Sequence, residues 1–407
     1  MPDPAARAVA RPRLRVASPG ALVVGADYRA LGVVRSLGRR GIPVWVLRHG
    51  DDRLAGASRY ADRMLALPDG DDAAFAFLLE LADQRGLHGW TLFPSADETA
   101  ALVARNHAQL AARYRLTTPP WDVVRYAHDK RLTYPFAAEA GVEPPRTWYP
   151  RSRADVEALD CDFPVALKPA IKNGLNPLTA AKAWRVDSHS ELVARYDEAC
   201  AFTDPEVLMV QEVIPGDGAM QLSYAALCAD GRAIASLVAR RTRQYPMDFG
   251  RASTHVESIE DAEVEADARR LLERLRFDGI VEVEFKRDPR DGRLKLLDVN
   301  PRVWGWHTLC ARAGIDFSYL AWRHANGEEV AEARGRPGVR WFRMSTDFPT
   351  VVKEIARRRL TVREYLRSLR GPRAAPIFAW DDPLPGVLEF PLLATVLFSR
   401  LARGGAV

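Results

Sequence analysis

Apolar and polar positions follow two different periods along this chain. In the first third, short runs are apolar or nearly so: Ala21-Leu22-Val23-Val24, Val44-Trp45-Val46-Leu47 and Trp90-Thr91-Leu92-Phe93. A strand that is apolar on both faces must be covered on both faces, which points to a parallel sheet between helices. The intervening segments supply those helices. Arg29 to Arg40 has helical spacing and stops at Gly41, Ala73 to Arg85 stops at Gly86, and Asp97 to Tyr114 is helical. Residues 21–120 therefore read as a small Rossmann-like sheet.

The pattern then changes. Trp121 to Pro150 reads as a helical connector, with Lys130 just inside a helix start. Phe163-Pro164-Val165-Ala166-Leu167-Lys168-Pro169 is a buried strand ending in lysine. A loop from Ala170 to Thr179 holds Lys172, Asn173 and Gly174. Ala180 to Val186 returns as a strand, and Ser190 to Phe202 is an amphipathic helix. Val207 to Ile214 is a strand ending at Pro215-Gly216-Asp217-Gly218. Strands at 221–228 and 233–240 and a helix at 261–276 follow. After a hairpin comes a helix from Trp304 to Ala313. Residues 340–407 form an appendix with helices at 349–358 and 361–369 and an apolar helix from Leu388 to Leu401 that contains Pro391. That last helix is expected to dock on the core, with a partner or a membrane surface as the alternatives.

The hairpin carries the chemistry. Val281-Glu282-Val283-Glu284-Phe285 and Leu294 to Asn300 are apolar strands joined by the turn Asp288-Pro289-Arg290-Asp291-Gly292. Alternation puts Glu282 and Glu284 on one face of the first strand and Asp298 and Asn300 on one face of the second. Paired across the turn, Glu284, Asp298 and Asn300 converge as an all-oxygen cluster suited to Mg²⁺ beside phosphates. Arg302 follows on the same alternation, where a fixed cation can meet a phosphoryl or carboxylate oxygen. Carboxylates clustered in this way repel each other unless a cation sits among them.

This stretch resembles the ATP-grasp superfamily of ATP-dependent carboxylate–amine ligases, which carry an acidic residue on one strand and a Glu-x-Asn-x-Arg-like motif on the next. The resemblance implies that Glu284 is the first metal ligand, with Glu282 as its alternative, and that Asp298 and Asn300 are the second and third. Asp298 departs from the commoner glutamate of that motif. The resemblance extends over residues 21–335. It implies that Lys130 and Lys168 hold ATP phosphates, and that Gln211, Glu212, Val213 and Ile214 form the hinge that meets the nucleoside. It also implies that Arg302 and Lys168 act in catalysis with two Mg²⁺ (or Mn²⁺), and that the loop around Asn173-Gly174 closes over the phosphates. Arg240 is expected at phosphate, with Arg243 and His255 facing phosphate or a substrate carboxylate. Trp304, Trp306 and His307 are expected to line the acceptor pocket.

The implied fold is α/β and α+β: a basic disordered tail over 1–20, a Rossmann-like pre-ATP-grasp domain over 21–120, a connector and N-terminal lobe over 121–213, a C-terminal lobe with the metal site over 214–335, and a helical extension over 336–407. The implied reaction is amide formation through an acyl phosphate, with ATP going to ADP and phosphate, on an amino acid or small carboxylate. An ATP-grasp carboxylase or phosphoryl transferase and a non-catalytic nucleotide-binding protein are the alternatives; dimers are common among such relatives, and the resemblance leaves the oligomeric state open.

Composition narrows this further. The 407 residues carry 58 basic and 53 acidic side chains, a net charge of +5 spread along the chain rather than in one block, which does not point to nucleic acid. Only seven of the basic residues are lysines (130, 168, 172, 182, 286, 295 and 353), so each lysine is informative in a sequence that otherwise uses arginine. Cys161, Cys200, Cys228 and Cys310 show no paired spacing and read as reduced core residues of a cytoplasmic protein. The tail from Arg7 to Arg15 lacks the apolar core of a secretory signal, and no apolar run is long enough for a membrane span. A dinucleotide fingerprint fails at Gly25-Ala26-Asp27: a carboxylate stands where pyrophosphate would sit, and Ser95, Asp97 and Glu98 take the strand-end positions where such sheets bind ligands.

Overall fold

The apolar runs near the N-terminus need cover on both faces, and the helices between them provide it. In the computed structural model, which describes residues 19–171, 176–245, 250 and 252–391, strands β1 (Ala21–Val24), β2 (Val44–Arg48), β3 (Arg63–Ala66), β4 (Thr91–Pro94) and β5 (Arg115–Leu116) form a sheet in the order β3-β2-β1-β4-β5. Every pair in it is parallel. Helices α1 (Tyr28–Gly38), α2 (Asp71–Arg85), α3 (Asp97–Arg105) and α4 (His107–Ala111) flank it. The helix expected over 97–114 is broken because the Asn106 side chain turns back to the Leu102 carbonyl at 2.9 Å and ends α3. Strand β3 was not expected: it is a half-exposed edge strand without the apolar run of its neighbours.

Helices α5 (Trp121–His128) and α6 (Lys130–Glu139) connect this domain to an antiparallel lobe. That lobe holds β6 (Thr147–Trp148), α7 (Arg153–Glu157), β7 (Val165–Pro169), α8 (Pro177–Ala181), β8 (Trp184–Val186), α9 (His189–Cys200) and β9 (Leu208–Glu212), with strand order β6-β9-β7-β8. The amphipathic helix α9 turns Leu192, Tyr196 and Ala199 onto Val165, Leu167, Val186 and Val210. Strand β8 is shorter than expected because Pro177 and the Asn176 cap start a helical turn first.

The third unit is a sheet in the order β14-β13-β10-β11-β12-β16-β17, with β15 beside β11. Its elements are β10 (Gln221–Ala229), β11 (Arg232–Tyr245), β12 (Ala252–Ile259), α10 (Ala262–Leu275), β13 (Gly279–Arg287), β14 (Leu294–Asn300), α11 (His307–Arg312), α12 (Phe317–Ala325), β15 (Ala333–Arg334), β16 (Arg340–Phe342), α13 (Met344–Ala356), α14 (Val362–Ser368) and β17 (Arg373–Ala374). The C-terminal region is therefore not a purely helical appendix. Strand β16 pairs with β12 and carries β17 beyond it. The basic tail through residue 18, the loop at Lys172-Asn173-Gly174 and the end of the last expected helix lie outside the described residues.

Two features fix the units against one another. One core runs from Val23, Leu31 and Val34 of the first domain to Leu227, Trp304 and Trp341 of the third. At the start of β13, Gly279 has φ +100°, and a Cβ there would lie 2.2 Å from the Thr117 carbonyl oxygen, so only glycine lets β13 approach the first domain this closely.

Candidate active site

Strands β13 and β14 pair antiparallel, with Glu282 opposite Asn300 and Glu284 opposite Asp298, and the register slips just after Glu284. The face predicted from alternation is the one that forms. The Asn300 amide donates to Glu282 at 3.2 Å and to Glu284 at 3.0 Å, while its carbonyl accepts from Arg302 Nη2 at 3.0 Å. Each acid has a further partner from a different element. Trp306 Nε1 donates to Glu282 at 2.7 Å, Arg241 of β11 reaches Glu284 at 3.0 Å, and Lys130 of α6 reaches Asp298 at 2.8 Å. Arg302 grips Asp97 of the first domain through Nε at 2.7 Å and Nη2 at 3.2 Å.

Asp97, Lys130, Glu284, Asp298 and Asn300 of this cluster line a cavity of about 720 Å³ enclosed by all three units, whereas Glu282, Arg241, Arg302 and Trp306 are not among its lining residues. A volume of that size is ordinary for a small-molecule or cofactor site. Asp97, Glu98 and Lys130 enter from the first domain and the connector; Lys168, Lys182 and Arg185 from the antiparallel lobe; Glu284, Asp298 and Asn300 from the third unit. Four of the chain's seven lysines, Lys130, Lys168, Lys182 and Lys286, face this one space.

The local electrostatics are set by burial against opposite charge. Burial alone would lower the Lys130 ammonium, but Asp298 more than offsets it and the group is held charged. Burial would raise Glu284, yet Arg241 and Lys182 bring it below the usual carboxylate range. Glu282 goes the other way: burial and the adjacent Glu284 push it up, only partly relieved by Arg241 and Arg302. Burial works against the Arg302 guanidinium too, but Asp97 outweighs it and keeps it firmly protonated. Glu282 is thus the group that orients Asn300 and Trp306, and Glu284 and Asp298 are the anionic pair.

That pair fits a hard divalent cation. Among the described residues no three Asp, Glu, His or Cys side chains close into a complete metal cage. Two carboxylates and one amide oxygen are what Mg²⁺ takes from a protein when phosphate and water fill its other positions. In this structure Lys130 occupies Asp298, Arg241 occupies Glu284, and the Asn300 oxygen accepts from Arg302.

The other expected residues divide. Gln211, Glu212 and Val213 line the cavity. The Glu212 carboxylate accepts from the Arg146 amide at 2.8 Å and from Arg290 at 2.9 Å, and the N–H groups of Glu212 and Val213 donate to the Arg146 and Pro164 carbonyls. Lys286 donates to the Ile214 and Gly216 carbonyls and anchors the segment that follows. Arg240 is misplaced by the sequence reading: it is absent from the cavity wall and pairs with Glu257 at 3.3 Å. Its neighbour Arg241 points to the acids, because successive residues of a strand face opposite sides. Arg243 and His255 face the C-terminal region instead, Arg243 on Asp347 and His255 on the Ser368 carbonyl. Trp304, Trp306 and His307 are buried in the core rather than lining a pocket. Ser95 is also buried, bonded to the Val24 carbonyl at 3.0 Å against Gly25, whose φ is +127°. Asp27 caps α1 with its carboxylate on the Arg29 amide at 2.8 Å. Lys182, Arg185 and Arg241 were not picked out from sequence; for Lys182, the rarity of lysine was the available signal.

Residues 204–345 match the family model described as ATP-grasp in the biosynthetic pathway with Ter operon. Over 304 residues the chain is 23% identical to a D-aspartate ligase of Enterococcus faecium (strain Aus0004), covering 69% of this chain and 70% of that protein. The solved L-amino acid ligase from Bacillus licheniformis superposes with a TM-score of 0.61 at 15% identity, over 75% of this chain and 73% of that one. The biotin carboxylase domain of Hydrogenobacter thermophilus 2-oxoglutarate carboxylase, solved with MgADP and bicarbonate, gives 0.61 at 15% identity over 78% and 73%. The fold is the ATP-grasp fold. The family model over residues 204–345 and the solved neighbours thus agree on an ATP-grasp fold.

Proposed function

We propose that this protein joins the carboxylate of one small molecule to the amine of another, at least one of them an amino acid, with ATP cleaved to ADP and phosphate. The observation that carries the reading is the meeting of Lys130, Lys168 and Lys182 with Glu284, Asp298 and Asn300 in one cavity. An acid-and-amide cluster opposite fixed ammonium groups is what a metal-bound triphosphate requires. The amino-acid class is supported by the ligases to which the chain is similar in sequence and in fold.

In this reading a substrate carboxylate oxygen attacks the γ-phosphorus. The bond to the β–γ bridging oxygen breaks, and ADP leaves with that electron pair. The amine nitrogen then attacks the acyl carbon, phosphate departs and the nitrogen loses a proton, leaving the amide. Mg²⁺ held by Glu284, Asp298 and Asn300 would neutralise charge on the phosphate oxygens. Lys130 and Lys168 bind and orient the triphosphate, and Arg302, aimed by Asp97 and Asn300, meets the carboxylate or acyl-phosphate oxygens. Glu212 and Val213 border the nucleoside. The protein's part is positioning and charge neutralisation rather than a covalent nucleophile.

The test is ADP and phosphate release from Mg-ATP against a panel of amino acids, dipeptides and small carboxylates, with Lys168→Ala as control. Release that requires both an acid and an amine, and that the variant loses, is expected. Release with bicarbonate and no amine would replace this reading with a carboxylation.

A further inference from the structure

We propose that the C-terminal region docks the protein on an anionic phospholipid surface, lying on the membrane rather than crossing it. The first observation is where exposed apolar groups fall. Of thirteen exposed large apolar residues among the described residues, ten lie between Met344 and Phe390. They are arranged rather than scattered. Met344, Phe348 and Val352 recur every four residues along the outer side of α13, opposite the buried Asp347, Val351 and Glu354. Leu384, Val387 and Phe390 recur every three on the helical residues 384–391. Glu389, from the inner side of that helical segment, pairs with Arg343 and accepts from Ser345, so the two stripes sit beside each other. Trp380 is 90% exposed and meets Phe378 edge to face at 4.9 Å. An exposed tryptophan next to aliphatic stripes is the composition of a membrane-interface surface.

The second observation is a separation of charge. Three of the six acids of this region pair with arginines outside it: Asp347 with Arg243, Asp381 with Arg39, and Asp382 with Arg35, while Glu354 and Glu389 pair with nearer arginines and Glu364 is exposed on α14. Among its own arginines, Arg357 and Arg359 share Glu354, and five others are left over. Arg358, Arg363, Arg367, Arg370 and Arg373 are exposed, and none has a carboxylate within ion-pair distance among the described residues. The inner side of α14 is committed to the body: Tyr365 lies under Arg243, and Arg340 donates to the Arg367 and Arg370 carbonyls. Val362, Arg363, Leu366 and Arg367 are therefore left facing out.

Free guanidinium groups interleaved with exposed aliphatic and aromatic groups match a bilayer with anionic headgroups, where arginine meets phosphate and the apolar groups enter the acyl boundary. Nucleic acid would satisfy the arginines but leave the apolar stripes wet. Among the described residues no helix is long and apolar enough to span a membrane, which fits a surface mode.

The experiment is flotation of the full chain with vesicles of phosphatidylcholine alone and of phosphatidylcholine mixed with phosphatidylglycerol. Binding is expected only to the mixed vesicles and should weaken as salt rises. Arg363→Glu/Arg367→Glu and, separately, Trp380→Ser/Phe390→Ser should each weaken it by about tenfold or more, with unchanged melting temperature because these side chains are exposed. No binding to the mixed vesicles at low salt would overturn the proposal. So would binding that both variants retain, and so would a concentration-dependent dimer in sedimentation that the apolar variant abolishes, which would assign the face to a second copy.

Discussion

Lys130 Nζ lies 2.8 Å from Asp298 Oδ1, so the first turn of the connector helix α6 and strand β14 are linked by one charge pair across 168 residues of sequence. The pair has two parts to play in the account. In the proposed reaction Asp298 would be a metal ligand and Lys130 a phosphate cation, and here each holds the other in place. Lys130→Ala should therefore weaken ATP binding and lower turnover together, with about 2–4 kcal/mol of transition-state stabilisation lost. Calorimetry with Mg-ATP and steady-state ADP release check the two halves; unchanged ATP affinity would detach Lys130 from the phosphates.

Asp97 holds Arg302 through two hydrogen bonds. Asp97→Asn should leave nucleotide affinity within a few-fold. Arg302 would lose its charged bidentate partner, at a cost of about 2–3 kcal/mol in the acyl step. The expected signature is a lower kcat or a higher KM for the carboxylate substrate at constant ATP affinity. Loss of ATP binding would instead make Asp97 part of the nucleotide site.

The C-terminal region should be needed for stability as well. Arg243 holds Asp347 by two 2.8 Å hydrogen bonds, with Asp347 fully buried. Asp347→Ala leaves a buried guanidinium unpaired and should cost about 3–5 kcal/mol. Asp381→Asn, at a pair with both side chains nearly half exposed, should cost under about 1 kcal/mol. Denaturant melts of the two variants separate these outcomes, and equal small losses would mean the region contributes little to the fold.

Two buried histidines predict an acid limb of stability. Burial holds His255 down to about 4, against Arg243 and Arg340 and only partly countered by Asp347; burial likewise holds His307 down to about 4. A folded value below the unfolded one means the folded state resists protonation. Their stabilisation is full above about pH 6.5 and is lost as pH falls from there towards 4. Glu282, raised by burial, tilts the same range the opposite way, so the test compares variants. His255→Gln should flatten the fall in melting temperature between pH 6.5 and 4 relative to the parent chain; an unchanged slope would mean His255 titrates normally.

Much of the site was readable because it is local. Two strands and a turn place Glu284, Asp298 and Asn300, and alternation alone gives the face they share. Lys168 was readable because an apolar strand ends on it. What could not be read depends on long-range register. Arg240 and Arg241 are adjacent in a basic cluster, and only the pairing of β11 with β10 and β12 decides which one meets Glu284. The tryptophans after Arg302 look like pocket walls in sequence, yet the first domain packs on them. The strands of the C-terminal region are two or three residues long, too short to carry a period, and become strands only because β12 offers an edge.

The most direct test of the central claim is the fate of a heavy-oxygen label in the substrate carboxylate, using whichever acid and amine drive ADP release. One labelled oxygen is expected in the inorganic phosphate, because that oxygen bridges carbon and phosphorus in the acyl phosphate. Unlabelled phosphate, or release of AMP and pyrophosphate in place of ADP, would contradict it.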